Sequence, residues 1–327
     1  MPSFVGLRTA FSTSLLAWII TLGAAHAATY PDRPVHLIAP YAPGGLTDIV
    51  ARTLAQELSG RVGQPVIVEN KVGASGIIGT DYVAKAAPDG YTLAIVGQGL
   101  ASVNASLYPN LPYDTLRDFV PVSLIARFSM VLVGHPSRQP ASVAQLIDLA
   151  RKSPGALTYG SAGNASTAHL TMALLNDATG TKMLHVPFKG ESAAFTELMG
   201  GRIDNVFATV GGALSLIQGG KLRAIAVADK ARNPGLPDVP TLREAGVKDF
   251  EVFGWYAVLA PANTPPDVIA RLSKELTAIG HDPAFQKAMI GRGIEAVGST
   301  PQEATKTIRD ETVRWGTVIK KAGITVD

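Results

Sequence analysis

Cysteine is absent from all 327 residues, which excludes disulfides, thiol nucleophiles and cysteine–metal sites. A chain this long does not need covalent staples to hold a core. Charge is scarce too: charged residues make up 17% and the formal net charge is +3. Acidic residues are interspersed with basic ones and no aromatic-basic stripe appears, so nothing here draws nucleic acid. His36, His135, His169, His185 and His281 stand apart, with no HxxxH or HExxH spacing, so no metal site is expected. No Lys-Ser or Lys-Thr follows Gly44-Gly45, which removes the phosphate-loop reading, and Gly97-Gln98-Gly99 lacks the third glycine of a dinucleotide fingerprint. Gly160-Ser161-Ala162-Gly163 has the wrong spacing for the serine-hydrolase elbow, and nothing supports a triad of Ser161, His169 and Asp204. There is no long repeat, and no low-complexity linker.

What is present is ample apolar material, 46% of the chain, enough for two ordinary domains with real cores. Arg8, an apolar run from Leu15 to Leu22 and Ala25-His26-Ala27 predict a secretory signal peptide over 1–27, cleaved after Ala27. That run falls short of the roughly 20 residues a spanning helix needs, and no later segment is long and apolar enough. The mature chain is expected to be exported.

The organising stretch is Val35 to Leu58. Val35–Ala39 suits a buried strand. Pro40 and Pro43 forbid helix, and Gly44-Gly45 allows backbone angles closed to other residues. Thr47 or Asp48 can cap a helix whose apolar residues Ile49, Val50, Leu54 and Leu58 fall at helical spacing. Such a turn leaves amide N–H groups bare at a helix N-terminus, a natural anion seat. Further strands are expected at 65–69, 92–96 and 120–126, and a helix at 77–86, so βα units surround a mostly parallel sheet. The pattern restarts at Phe128: strand 130–133, helix 143–151, then a short strand at 157–159 running into the glycine loop Gly160 to Thr167 and a helix over 167–178. Helices at 190–199 and 211–218, strands at 203–207, 222–228 and 252–259, and helices at 266–279, 283–291 and 301–321 complete the chain. Both glycine loops offer amides and hydroxyls with no Arg or Lys, which suits a carboxylate held by neutral donors. The basic residues Lys182, Lys189, Arg202, Lys221 and Arg223 are expected on a solvated face.

The motif Pro40-Tyr41-x-x-Gly44-Gly45-x-x-Asp48 is followed by Glu69 to Gly76, Pro88 to Leu93, Leu111-Pro112-Tyr113-Asp114 and Tyr159 to Gly163. His185 to Gly190, Asp238-Val239-Pro240-Thr241 and Ala260 to Pro265 complete the series. In this order the set resembles the Bug family, the periplasmic solute receptors of tripartite tricarboxylate transporters. The resemblance implies an α/β fold of the bilobal periplasmic-binding-protein kind, a type II-like Venus flytrap. Its two mostly parallel-sheet lobes would be joined by crossover strands near 127 and 253. Lobe 1 would hold 28–127 plus 254–327, with the C-terminal end packed on it, and lobe 2 would hold 128–253. It implies a non-enzymatic receptor without cofactor or metal, expected as a monomer, which takes a small organic carboxylate in the periplasm and delivers it to integral-membrane transporter subunits. Two rival readings are a ligand-sensing receptor for a membrane sensor kinase and an exported hydrolase.

Carried over by position, the ligand residues on the first lobe are Tyr41, Ala42, Gly44, Gly45, Leu46, Thr47 and Asp48, with Gln98 and Ser102 after the third strand. On the second they are Ser161, Ala162, Asn164, Ala165, Ser166, Thr167, Phe188 and Asp204; holding backbone N–H groups is an equal reading for Asp204. Phe128 and Trp255 are expected to pack at the hinge. The sequence departs from the family pattern at Ala101, Ser102, Ala105, Ala165 and Ala257, all near the expected pocket, which leaves the ligand unnamed.

Overall fold

Strand β1 (Val35–Ala39) is bracketed by Pro34 and Pro40, and Leu37, Ile38 and Ala39 are buried because both faces of its sheet are covered. The turn through Gly44-Gly45 then opens α1 (Leu46–Val62). Its buried Val50, Ala51, Leu54, Leu58 and Val62 make one stripe against the sheet, and Gly63, at φ 75°, ends it. The computed structural model describes residues 30–138 and 140–325; the expected leader over 1–27 lies outside the described residues.

The same unit repeats in β2 (Val66–Asn70), α2 (Ile77–Ala84) and β3 (Thr92–Gly97). A π-type turn (Gly99–Val103) then leads into α3 (Asn104–Leu107) and α4 (Thr115–Asp118). Strand β4 (Phe119–Gly134) follows, then α5 (Val143–Lys152), β5 (Thr158–Ser161), α6 (Thr167–Thr179) and β6 (Leu184–Pro187). The chain continues through α7 (Glu191–Met199), β7 (Asn205–Thr209), α8 (Val210–Gln218), β8 (Arg223–Val227) and β9 (Phe253–Pro261). It closes with α9 (Pro266–Gly280), α10 (Pro283–Ile290), β10 (Glu295–Ala296) and α11 (Pro301–Ala322).

The first sheet runs β2–β1–β3–β9–β4, with β1, β2 and β3 parallel and β9 antiparallel to both its neighbours. In the second, β5, β6 and β7 are parallel, while β4 is antiparallel to β7 on one side and β8 on the other. The first sheet thus has two reversed strands, β9 and the short β10 paired with β4, and the second has one, β4. Helices cover both faces of each sheet. The core of α1, α9 and α10 lies on one face of the first sheet, and that of α7 and α8 on one face of the second.

The two strands expected at 120–126 and 130–133 are one. Strand β4 pairs with β9 from Phe119 to Ser129, then with β7 and β8 from Met130 to Gly134. It is the first crossover, and β9, entering at Phe253, is the second. On this pairing we place the division between lobes at the Ser129–Met130 step and at Phe253. Helix α11 needs a correction to the expectation that the C-terminal end packs on the first lobe. Ile308 joins the first-lobe core, but Trp315, Val318 and Ile319 enter the second-lobe core beside Leu170, Leu175 and Phe207.

Candidate functional site

The turns after β1, β3 and β5 meet across a hollow of about 1290 Å³ between the sheets. From the first lobe it is lined by Tyr41, Ala42, Gly44, Gly45, Leu46 and Thr47, and from the second by Ala162, Asn164, Ala165, Ser166 and Thr167. Phe128, Trp255 and Tyr256 from the crossover strands also face it. The two glycine loops expected to converge are therefore brought together.

The first loop is held from behind. Gly44 takes φ 82°, open mainly to glycine, and its N–H donates to Asp48 at 3.0 Å. The same carboxylate accepts from Arg52 Nε at 3.0 Å and Asn70 Nδ2 at 2.9 Å, and Asn70 also donates to the Tyr41 carbonyl. The Arg52 hydrogen bond, above all, holds the Asp48 carboxyl down to about 2. Gly45 takes an ordinary φ of −76° and caps α1 without any side-chain hydrogen bond, so the first-turn amides of α1 face the hollow uncapped. Thr47 donates its hydroxyl to the buried Tyr256 hydroxyl at 3.3 Å, which leaves the phenol proton free to be donated into the hollow.

The second loop uses its own hydroxyls internally. Ser161 donates to the Gly163 carbonyl at 2.9 Å, as does Ser166 at 2.8 Å, and Ser166 accepts from the His169 N–H to cap α6. Ala165 sits at φ 59°, a left-handed conformation that costs a non-glycine residue about 1 kcal/mol or more. A third helix end adds to the wall: Gly190 caps α7 with no side-chain hydrogen bond, and Gly190, Glu191 and Ser192 line the hollow.

Several expected residues lie elsewhere, each for a physical reason. Asp48 is buried under the first loop as its clamp, not on the ligand side. Gln98 borders the hollow, but its side-chain amide donates to the buried Glu311 of α11. Ser102 is fully buried and donates to the Ile308 carbonyl at 3.1 Å, tying the π-type turn to α11. Ser161 is fully buried and bonded to Gly163 and His185. Phe188 turns its ring into the second-lobe core over Gly160. Asp204 accepts from the Thr158 N–H and hydroxyl at 2.7 and 2.8 Å, at the end of β5 away from the hollow, so its backbone-holding reading is the one the geometry fits.

Sequence reasoning missed Ser75, Asn104, Tyr108, Lys189, Glu191 and Ser192 on the wall. Ser75 sits in a run of four positive φ angles, Gly73 to Gly76, signalled only by the flanking glycines. Lys189, expected on a solvated face, and Glu191 are the charged side chains lining the hollow among the described residues. Glu191 accepts from the Thr209 N–H at 2.6 Å and hydroxyl at 3.0 Å, and burial pushes its carboxyl above the usual range. The hollow is therefore rich in neutral donors, with one cation at its edge.

The geometry gives a serine triad no support. Ser161 bonds His185 rather than His169, it is sealed from the hollow, and Asp204 touches neither histidine. Among the described residues no group of three His, Cys, Asp or Glu is arranged to hold a metal ion. Among them, too, no helix is long and apolar enough to cross a membrane.

Residues 50–324 match the profile of the tripartite tricarboxylate transporter family receptor. Protein BugT of Bordetella pertussis is 37% identical over 319 residues, covering 95% of this chain and 98% of that protein. The structure of R. palustris Rpa4515 with adipate superposes with a TM-score of 0.79 at 35% identity, over 90% of this chain and 99% of that one. MatC (Rpa3494) from Rhodopseudomonas palustris with bound malate gives 0.74 at 30% identity, over 89% of this chain and all, 100%, of that one.

Proposed function

The chain belongs to the tripartite tricarboxylate transporter receptors, the Bug-type solute-binding proteins, and from that premise we propose that it captures a small organic carboxylate in the periplasm. It is a receptor and not an enzyme. The acid would sit in the hollow between the lobes and be passed to the membrane subunits of a transporter of the same type.

One observation carries this reading. Helix α1 from one lobe and α7 from the other each begin at a glycine with no capping side chain, and both starts line the same hollow. Bare amides and two positive dipole ends aimed into one space favour a negative charge there. The Tyr256 phenol, the Asn164 amide and the Thr167 hydroxyl add neutral donors, and Lys189 adds a positive edge. Adipate and malate in the two similar structures are acids of the size such a space accommodates. Closure would follow from better contacts in the closed state, with β4 and β9 as the hinge.

Titration calorimetry across mono-, di- and tricarboxylic acids, with sugars and amines as controls, tests the ligand class. At least one acid should bind and raise the melting temperature, and its affinity should fall in the Lys189→Met variant. Binding of a neutral or cationic solute, with every acid inert, would overturn the reading. Loss of uptake of the same acid by cells lacking this chain tests delivery.

A further inference from the structure

Behind the second glycine loop two imidazoles lie face to face. The rings of His169 and His185 have centroids 3.7 Å apart and planes 17° from parallel, and the Tyr159 ring lies beside the pair, 4.9 Å from His185 and 6.1 Å from His169. Each ring reaches a different part of the loop. The Ala165 N–H donates to His169 Nδ1 at 3.1 Å, and His185 Nε2 lies 2.7 Å from the Ser161 hydroxyl. Because the Ser161 proton goes to the Gly163 carbonyl, the consistent assignment has His185 donating from Nε2.

These bonds fall where the loop needs them. Ala165 is the left-handed residue, and it lines the hollow. A non-glycine residue keeps such angles only when its surroundings over-determine them. The His169 bond is the one that fixes its amide, and it works only with a neutral ring, since a protonated Nδ1 would oppose one N–H with another. The stack sets the same condition, because two like charges at that spacing repel strongly. We propose that His169 and His185 are positioning residues for ligand binding: a stacked neutral pair that holds Ala165 and Ser161 so that the loop presents its donors to the hollow.

The pair also has a back entrance. A separate cavity of about 530 Å³ is lined by both histidines with Tyr159, Asp177, Lys182 and Lys321, and Asp177 is held by Lys321. The titratable and charged groups facing the rings are thus Tyr159, Asp177, Lys182 and Lys321, together with each other. Burial first, and for His185 the neighbouring His169 as well, hold both imidazoles down to about 4, so both are neutral near neutral pH.

The inference rests on the carboxylate reading for its binding arm and stands apart from it for its structural arm. In the unmodified protein, nitrogen-15 imidazole spectra near neutral pH should show His169 with a bare Nδ1 and its proton on Nε2. A proton on Nδ1 would overturn the proposal whether or not any acid binds. His169→Asn keeps an acceptor near the Nδ1 position and His169→Leu removes it. The Leu variant should exchange the Ala165 amide proton and lose acid affinity, each by about tenfold, and Asn should restore both. Equal affinity in wild type, Leu and Asn forms would overturn it. Should the Leu variant fail to fold, His185→Gln against His185→Leu gives the same contrast at Ser161. If the wild type binds no acid, the function proposed above fails while the tautomer and exchange results still decide this one.

Discussion

At the scale of single residues, the two adjacent glycines of the first loop do different work. Gly44 is at φ 82°, so a side chain there strains the backbone although nothing lies within 4 Å of its added Cβ. Gly45 has ordinary angles and its nearest neighbour would be the Ala42 carbonyl at 3.5 Å, so a Cβ there is harmless to the fold. Gly44→Ala should lower stability by about 1 kcal/mol in urea titrations. Gly45→Ala should leave the unfolding midpoint in place and, on the proposed reading, weaken acid binding, because the methyl would crowd an acid seated at the α1 amides. The sequence shows both as a turn signal and cannot separate them, since the difference is a φ angle. Asp48, Ser102 and Ser161 lie behind the loops rather than on the hollow, and Asp204 takes the second of its two readings, for a related reason. A polar side chain beside a binding loop reads the same whether it faces the ligand or braces the loop from below, and only burial and partners tell the two apart.

At the scale of elements, most of the strand and helix order is legible, because apolar spacing and glycine or proline stops mark it locally. The left-handed run at Gly73–Gly76 was not, nor was the place of the α7 start on the hollow, although its helix was expected at 190–199, since both depend on what the chain packs against. The clamp under α1 makes a prediction. Asp48→Ala strips the Gly44 N–H, Asn70 and Arg52 of a shared acceptor and should cost about 1–3 kcal/mol in chemical denaturation. The helix behind the second loop makes another, through pH. His169 and His185 have folded values lowered from 6.5 to about 4, so the unfolded chain binds the extra protons between those limits. Their contribution to stability should be intact above pH 6.5 and decline as the pH falls toward about 4, read as a falling urea midpoint that flattens in the His169→Asn, His185→Gln double variant.

At the scale of the whole molecule, two lobes were legible as two runs of βα units, and the family motifs supplied the crossovers. The C-terminal helix was assigned to one lobe because helical spacing says nothing about which surface a helix reaches. Its first half meets Ser102 and the first-lobe core, while Trp315 is wholly buried in the second-lobe core and donates its indole N–H to Glu311. Glu311 in turn takes the Gln98 amide at the edge of the hollow, so α11 also touches the floor of the site. Trp315→Ala should cost about 3–5 kcal/mol by calorimetry, and should change acid affinity as well as stability.

If the lobes swing as proposed, a helix rooted in both cores would act as a torsion bar between them. Opening would then either twist it or peel away its last turns, where Lys321 pairs with Asp177. A fluorescent reporter attached to those last turns of α11 would then load the hinge, and a sensor built from this receptor should carry its reporter at another site.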